Sequence, residues 1–527
     1  MPSPTLSRRD LHRLLGVGAA AALLPAAIAP SSAVAAPGDA YVMGYFTESP
    51  DGLGNDYGLH LAVSTDGLEW SPLNQNAPVV TPTEGTRGLR DPFLLRKQDG
   101  TFVVLATDLA GTDFAQDNQY IHVWDSTDLR SFSGYRRLRL HDLPTHSWAP
   151  EAFWDPARNQ YGIIYSAYDG TQDVILVNYT SDFRTTSAPQ TWFDGGAAVI
   201  DATVRVEGST PYLYYKRDNR LFGAKGSLAP RGFENGTYTV GYDGAGLTEA
   251  PIVVRSATSA TWYLWGDVYT PVNGVFTVWS SPDISRDAWT PLSRRAYTQP
   301  INSKHATIQP ITATEHANLI AAWGLPVWNR VKSFNYPDRF IRHQAFRARI
   351  DPYPFDPFTD SQFVLAPGLG NAAGVSFRSL SDPVLYLRHS GFRLVLARDD
   401  GSALFAADAT FTKKPGLADP SWTTFASQNF PDRVIRHRGS SSSSNPSSRP
   451  PRRRTERTRR GASPADGDAG PTIRRSGEGA RSTLAGSSAG PGASPRASEV
   501  RDPSTARRGR THTSSTAGET VPDIDRG

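Results

Sequence analysis

Short stretches in which apolar and polar residues alternate recur along residues 41–311, with turn residues between them. The first two are 41–46 and 57–64. The second runs into the turn Thr65-Asp66-Gly67 and Trp70. That unit returns at 121–132 with Asp128, at 174–183 with Asp182 and at 275–284 with Asp283, and 221–228 is a weaker copy. Ahead of each copy lies another strand pattern, at 102–107, 161–166, 212–216 and 262–265. Ahead of those lies a third kind of stretch, a short strand that opens on polar residues. Its copies are Arg90-Asp91-Pro92-Phe93, Trp148-Ala149-Pro150-Glu151, Ile200-Asp201-Ala202, Glu249-Ala250-Pro251 and Lys304-His305-Ala306-Thr307.

From Asp91 the steps to Glu151, Asp201, Glu249 and His305 are 60, 50, 48 and 56 residues. A period near 50 built of short strands predicts a propeller whose blades hold about four strands each. The five polar-headed strands are then innermost, with their heads converging on the axis. After His305 the pattern turns helical, with Thr314 as expected N-cap and Gly324 just past the end. The fifth blade therefore lacks outer strands, and residues 41–70 supply them. Such closure removes an open sheet edge. Residues 40–323 are read as one five-bladed β-propeller.

A second repeat follows a short linker at 325–332. The segments 333–343, 376–389 and 424–437 each end in Arg-His, at His343, His389 and His437, with steps of 46 and 48. Two copies continue with Asp, then Phe three residues on, then Pro-Gly-Leu: Asp360 and Phe363, Asp408 and Phe411. Three copies of a β unit of this length predict a β-trefoil over 325–439. The fold class is thus all-β, a propeller plus a trefoil with an incomplete third lobe. The third copy lacks the Phe-x-Leu-x-Leu strand seen at 392–396. Residues 440–527 hold few large apolar residues and are expected to be disordered. They read either as a basic linker or as the product of a frame shift near residue 439, and the abruptness favours the second.

Composition changes this picture in three places. The start, with Ser7-Arg8-Arg9-Asp10-Leu11, an Ala/Leu-rich run and Ala33-Val34-Ala35, reads as a twin-arginine export signal over 1–36. No other stretch is long and apolar enough for a membrane span, so a secreted protein without a membrane partner is expected. The absence of cysteine means that stability outside the cell rests on packing. The net charge of +4 misleads: 440–527 carries 16 Arg against 9 acids, leaving −3 for 1–439. No basic face for nucleic acid is indicated. The 12 Trp residues fit sugar-stacking surfaces or large β cores.

The residues alone leave alternatives open. Asp91, pushed to extended geometry by Pro92, is a salt-bridged strand cap or a catalytic group. Glu151 stands at a comparable strand mouth. Asp267 lines a pocket or serves structure, and Asp108 reads as a turn residue. His305 is a hydrogen-bonded core histidine or an axial functional group. No zinc-ligand spacing and no phosphate loop is present.

The set Arg-Asp-Pro-Phe, Trp-Ala-Pro-Glu, Ile-Asp-Ala, Glu-Ala-Pro and His-Ala-Thr resembles glycoside hydrolase family 43, and within it the actinobacterial exo-α-L-arabinofuranosidases. The Arg-His and Asp-x-x-Phe repeats resemble family 42 carbohydrate-binding modules. This resemblance implies an inverting glycosidase with Asp91 as general base, Asp201 as modulator and Glu249 as general acid. It implies substrate-side roles for Glu151, Asp267 and His305, and arabinofuranose-binding pairs His343/Asp360 and His389/Asp408. No cofactor is required on this reading; a hydrated Ca²⁺ on the axis near His305 is the one metal it suggests. The implied partner is plant cell-wall arabinan or arabinoxylan, met by a monomer. A β-xylosidase or endo-arabinanase of the same fold, or a non-catalytic arabinan-binding protein, are the alternatives. The product released from arabino-oligosaccharides separates them.

Overall fold

The repeated strand pattern forms five four-stranded antiparallel sheets. In this computed structural model residues 38–438 and 441–446 are described, apart from 51, 53, 237 and 241–245. The expected export signal over 1–36, and the tail beyond 446, lie outside the described residues. The inner strands are Leu89–Arg96, Trp148–Asp155, Val199–Glu207, Leu247–Arg255 and Ser303–Ile311, here numbered blades one to five. Blades one to four each continue outward through consecutive strands. In blade five the inner strand pairs with Ala40–Thr47, the N-terminal strand, which pairs with Asp56–Ser64. The ring is closed by both ends of the domain, as expected from the pattern.

The recurring Ser/Thr-x-Asp closes the third strand of every blade but the third by the same local bonds. Ser64, Ser126, Thr180 and Ser281 accept from backbone N–H groups two or three residues on. Asp66, Asp128, Asp182 and Asp283 then accept from the N–H two residues beyond themselves. The repeat is therefore a turn requirement. Between neighbouring blades the alternating apolar residues form separate core clusters. Val103, Ile121, Ile163 and Val174 fill the space between blades one and two, and Trp265, Phe276, Tyr41 and Ile308 that between four and five.

The helix spans Ala313–Trp323. Its N-cap is Thr312 rather than Thr314, because Glu315 three residues on completes a capping box with it. Glu315 also takes a bidentate ion pair from Arg96 at 2.8 and 2.9 Å.

Strands from Arg339–Gln344 to Ser441–Pro446 form one antiparallel ten-stranded system around a core of Phe363, Phe377, Phe411 and Leu387. Three strands pair mutually in a triangle: Arg347–Pro352, Arg393–Arg398 and Ser441–Pro446. The last of these strands lies past the expected end at residue 439. The third lobe takes its last strand from the Ser/Asn run Ser441–Pro446, because ladder pairing uses backbone groups and does not need the missing Phe-x-Leu-x-Leu pattern. The two domains share an apolar cluster in which Trp328, Phe340, Tyr353 and Phe355 meet Val268, Val275 and Ile301.

Ending the chain at Arg438 instead of Pro446 removes one side of the strand triangle. It should lower the unfolding midpoint of the trefoil by about 5–15 °C, the shift that roughly 1–2 kcal/mol produces in a domain of this size. The propeller transition should not move. Calorimetry with limited proteolysis of the two chains measures both; equal trefoil midpoints would mean that the 441–446 strand contributes nothing.

Candidate active site

Each inner strand is kinked at one residue. Asp91, Ala149, Asp201, Ala250 and His305 have φ of +52°, +49°, +56°, +52° and +27°. The ladder register slips beside each of them. A bulge of this kind re-aims a side chain. Pro92, Pro150 and Pro251 follow three of the kinks, a place where a strand tolerates proline. Asp91 is thus left-handed, not extended as Pro92 suggested.

The equivalent positions around the ring are therefore 91, 149, 201, 250 and 305. Glu151 lies two residues beyond the kink of blade two, roughly 6–7 Å further down its strand. Burial pushes its carboxyl up to about 8, against hydrogen bonds from Thr203 and the Val204 backbone.

Asp91, Asp201, Glu249 and His305 line one cavity of about 200 Å³, walled by Arg90, Phe114 and Trp148. Blade one lies two steps from both blade three and blade four, so Asp91 faces Asp201 and Glu249 across the axis. The two sides differ electrostatically. Burial alone would raise Asp91. The cation of His305, with Nδ1 3.1 Å from Asp91 Oδ1, outweighs it together with Arg90 and a 2.8 Å bond from Thr107 Oγ1, and the carboxyl sits at about 2. Burial would lower His305, but Asp91 and Asp201 raise it to about 9. Arg90 is itself buried against Glu48 and stacks 4.7 Å over Phe46 and 5.2 Å over Phe114.

On the far side, burial and the neighbouring Glu249 charge hold Asp201 up at about 6, with His305 opposing. Asp201 Oδ2 accepts from Ala250 N at 3.1 Å. Glu249 departs from the expectation that a proton donor is raised. Burial favours its neutral form, but Lys304 and Lys216 overcome this and lower it. Lys216 Nζ donates to Glu249 Oε2 at 2.9 Å, and Lys304 Nζ stands 3.7 Å from Oε1. Of the two readings left open for Asp267, its surroundings match the structural one: its side chain is 0% exposed, behind Lys304 at 3.2 Å, and accepts from His305 N at 3.0 Å. Asp108 is structural, buried and tied to His122, Arg137 and Thr86.

Sequence reasoning passed over Lys216, Lys304, Arg90, Phe114 and Trp148. Phe114 is on an irregular loop with no periodicity to mark it. Lys304 was visible beside His305, and Lys216 at the end of a second strand.

In the trefoil, Asp360 accepts from Arg342 at 2.9 Å with His343 Nε2 3.4 Å away, and Asp408 accepts from Arg388 at 2.7 Å with His389 Nε2 3.2 Å away. The structure thus brings both expected pairs together, each with its arginine. Lobe two adds Asn429, which donates to Asp408 at 2.7 Å and meets His389 at 2.8 Å. His437 meets Asn335 at 2.9 Å.

Among the described residues no three His, Cys, Asp or Glu groups are placed to hold an ion, so nothing near His305 forms a direct ligand set. No described helix is long and apolar enough to cross a membrane.

A five-bladed propeller with buried carboxyl groups converging on one axial pocket is the architecture of a glycoside hydrolase. Residues 36–317 match the family 43-related family described as a probable glycosyl hydrolase domain, and the chain belongs to that family. Residues 329–460 match the alpha-L-arabinofuranosidase B (ABFB) domain. The chain is similar to an alpha-L-arabinofuranosidase of Bifidobacterium longum, at 30% identity over 197 residues, 32% of this chain and 18% of the relative. It is also similar to an extracellular exo-alpha-(1->5)-L-arabinofuranosidase of Streptomyces avermitilis, at 40% over 102 residues, 18% of this chain and 21% of the relative. The chain thus spans about a fifth of the length of these relatives. A solved structure titled as a thermostable family-43 glycoside hydrolase shares 16% identity over 63% of this chain and 97% of its own, with a TM-score of 0.33, too distant a likeness to bear on the reaction.

The Asp91–His305 pair gives a signed pH prediction. Asp91 is lowered from 3.8 to about 2, so its contribution to stability is present above about pH 4 and is lost as pH falls through about 2. His305 is raised from 6.5 to about 9, so its contribution is full below pH 6.5 and is lost as pH rises through about 9. His305→Ala should therefore destabilise the propeller more at pH 5 than at pH 10. Urea unfolding of both proteins at the two pH values measures this; an equal loss at both would show that the ion pair is not the source.

Proposed function

We propose that the chain is an inverting exo-acting α-L-arabinofuranosidase that removes terminal arabinofuranose from arabinan or arabino-oligosaccharides. The observation that carries this reading is one small axial pocket that holds the His305-paired carboxyl of Asp91 on one side and the adjacent carboxyl groups of Asp201 and Glu249 on the other. Asp91, held ionised, deprotonates the attacking water. Glu249 gives a proton to the departing glycosidic oxygen, and Asp201 stands beside it to set its charge and orientation. An inverting glycosidase needs these two roles on opposite faces of the sugar. At about 200 Å³ the cavity falls below the usual range for pockets that enclose larger ligands, and suits one sugar ring rather than a length of chain. That favours exo over endo cleavage. Trp148 and Phe114, whose rings meet edge to face at 5.8 Å, supply the apolar wall for a sugar face.

The substrate class follows from the ABFB-type domain and from the arabinofuranosidases among the relatives. The twin-arginine start, together with the extracellular relative, supports export. In the trefoil, the pairs His343/Asp360 and His389/Asp408 are read as arabinofuranose contacts.

Arabinose should be the product released from linear arabino-oligosaccharides, one residue at a time. Xylose as the main product would point to a β-xylosidase, and internal cuts to an endo-arabinanase. Glu249→Ala should lose about 10²–10⁴-fold on natural linkages and much less on aryl glycosides with good leaving groups, which need little protonation. Asp91→Ala should lose activity on both, and azide should restore it with a β-configured azide product, since attack comes opposite the α-linkage. If the two variants respond identically to leaving-group acidity, the roles are wrongly assigned.

A further inference from the structure

Lys216 breaks a pattern that blades one, two and four keep. Thr107, Ser166, Lys216 and Asp267 occupy one equivalent place on the second strands, paired with Arg90, Trp148, Ile200 and Glu249. Thr107 Oγ1, Ser166 Oγ and Asp267 Oδ2 each accept the N–H of the kinked residue of the next blade, at Ala149, Asp201 and His305. A lysine cannot accept. In blade three Asp201 Oδ2 takes over that task, receiving Ala250 N at 3.1 Å. The ammonium of Lys216 is left for another use, and it is spent on Glu249 Oε2 at 2.9 Å.

The two lysines at Glu249 are held differently. Lys304 is 3% exposed and pinned by Asp267 Oδ2 at 3.2 Å and Asn273 Oδ1 at 2.6 Å. Lys216 is 14% exposed, and beyond Glu249 its Nζ has the ring of Tyr269, 4.2 Å from the centroid. That ring is anchored by its hydroxyl, which donates to Asn219 Oδ1 at 2.6 Å. A cation over an aromatic face has a resting place that does not need the carboxylate. Glu249 thus has one fixed and one releasable counter-ion. The other charged groups facing it are Asp201, Asp267 and His305.

We propose that Lys216 is a positioning residue of the reaction, a releasable counter-ion that holds Glu249 in the sugar-free site and frees it to carry a proton when the sugar enters. This rests on the reading of Glu249 as proton donor. Its expected trace is in the pH dependence. A nearby cation favours the ionised carboxylate, so removing it keeps Glu249 protonated to higher pH.

The test uses the full chain and the pH profile of kcat/KM on two arabinofuranosides, methyl (poor leaving group) and 2,4-dinitrophenyl (good leaving group). On the methyl glycoside, Lys216→Met and Lys216→Gln should both move the alkaline limb to higher pH, and Lys216→Arg should leave it near that of the unaltered protein. On the dinitrophenyl glycoside no limb should move, because no proton is donated. Glu249→Gln run alongside separates the two claims. If it loses activity equally on both glycosides, the proton-donor reading falls and this inference with it. If Glu249→Gln discriminates the glycosides as expected while neither Lys216→Gln nor Lys216→Met moves the limb, the inference alone is overturned. The Gln variant retains a hydrogen-bond donor without the charge, so it decides the matter if the Met variant fails to fold.

Discussion

The site depends on five left-handed residues held at the same height in five strands. A non-glycine residue in that conformation costs on the order of 1–2 kcal/mol. Four of the five are held by an identifiable bond, since the N–H groups of Ala149, Asp201, Ala250 and His305 each meet a side-chain oxygen from the preceding blade. Blades one to four thus each fix the kink of the next. The kink in turn decides which atoms reach the pocket. Asp91, Asp201 and His305 stand on the kink itself, whereas Trp148 and Glu249 stand one residue before it.

A set of buried charges couples the two walls of the pocket. Arg90 donates to Glu48, whose other oxygen accepts from Asn273 at 2.9 Å. Asn273 Oδ1 accepts from Lys304, which faces both Asp267 and Glu249. Breaking one member of a buried pair leaves an uncompensated charge and costs more than the pair contributes. Gly274 belongs to the same arrangement: its φ is +76°, and a Cβ there would lie 2.8 Å from the Glu48 carbonyl. Asn273 reaches both partners only because the turn beside it brings the chain that close.

Much of this was legible because the propeller repeats its local chemistry. Turn requirements made the third strands recognisable, and the Ser/Thr-x-Asp bonds explain why. The period near 50 placed Asp91, Asp201 and His305 correctly relative to one another. It misplaced blade two by two residues and blade four by one, since Glu151 and Glu249 are acidic and Ala149 and Ala250 are not. Residue type drew the alignment where backbone geometry should have. The Pro that follows three kinks was the better marker. Lys216 was readable in principle, at the end of a strand whose counterparts end in Thr107 and Ser166, but only once those ends are seen to be acceptors. The strand Ser441–Pro446 has no apolar pattern at all, and nothing short of its backbone pairing reveals it.

The trefoil shows why a lobe is not the unit of a binding site. Asn335, Ser381 and Asn429 stand eight residues before His343, His389 and His437 respectively. Each histidine that meets such an asparagine meets the one from the next lobe: His389 with Asn429, His437 with Asn335. For His343 the corresponding position is Ser381, and its Nε2 has no hydrogen-bond partner among the described residues. At lobe two His389, Asp408 and Asn429 meet, with Phe430 from the third lobe edge-on to His389 at 5.4 Å. Its completeness is borrowed, since Asn429 and Phe430 immediately precede Arg433–Arg438, the strand that Ser441–Pro446 covers. A change in the third lobe is thus transmitted to the second lobe's site through Asn429, by the same logic that makes blades two to five each depend on the one before.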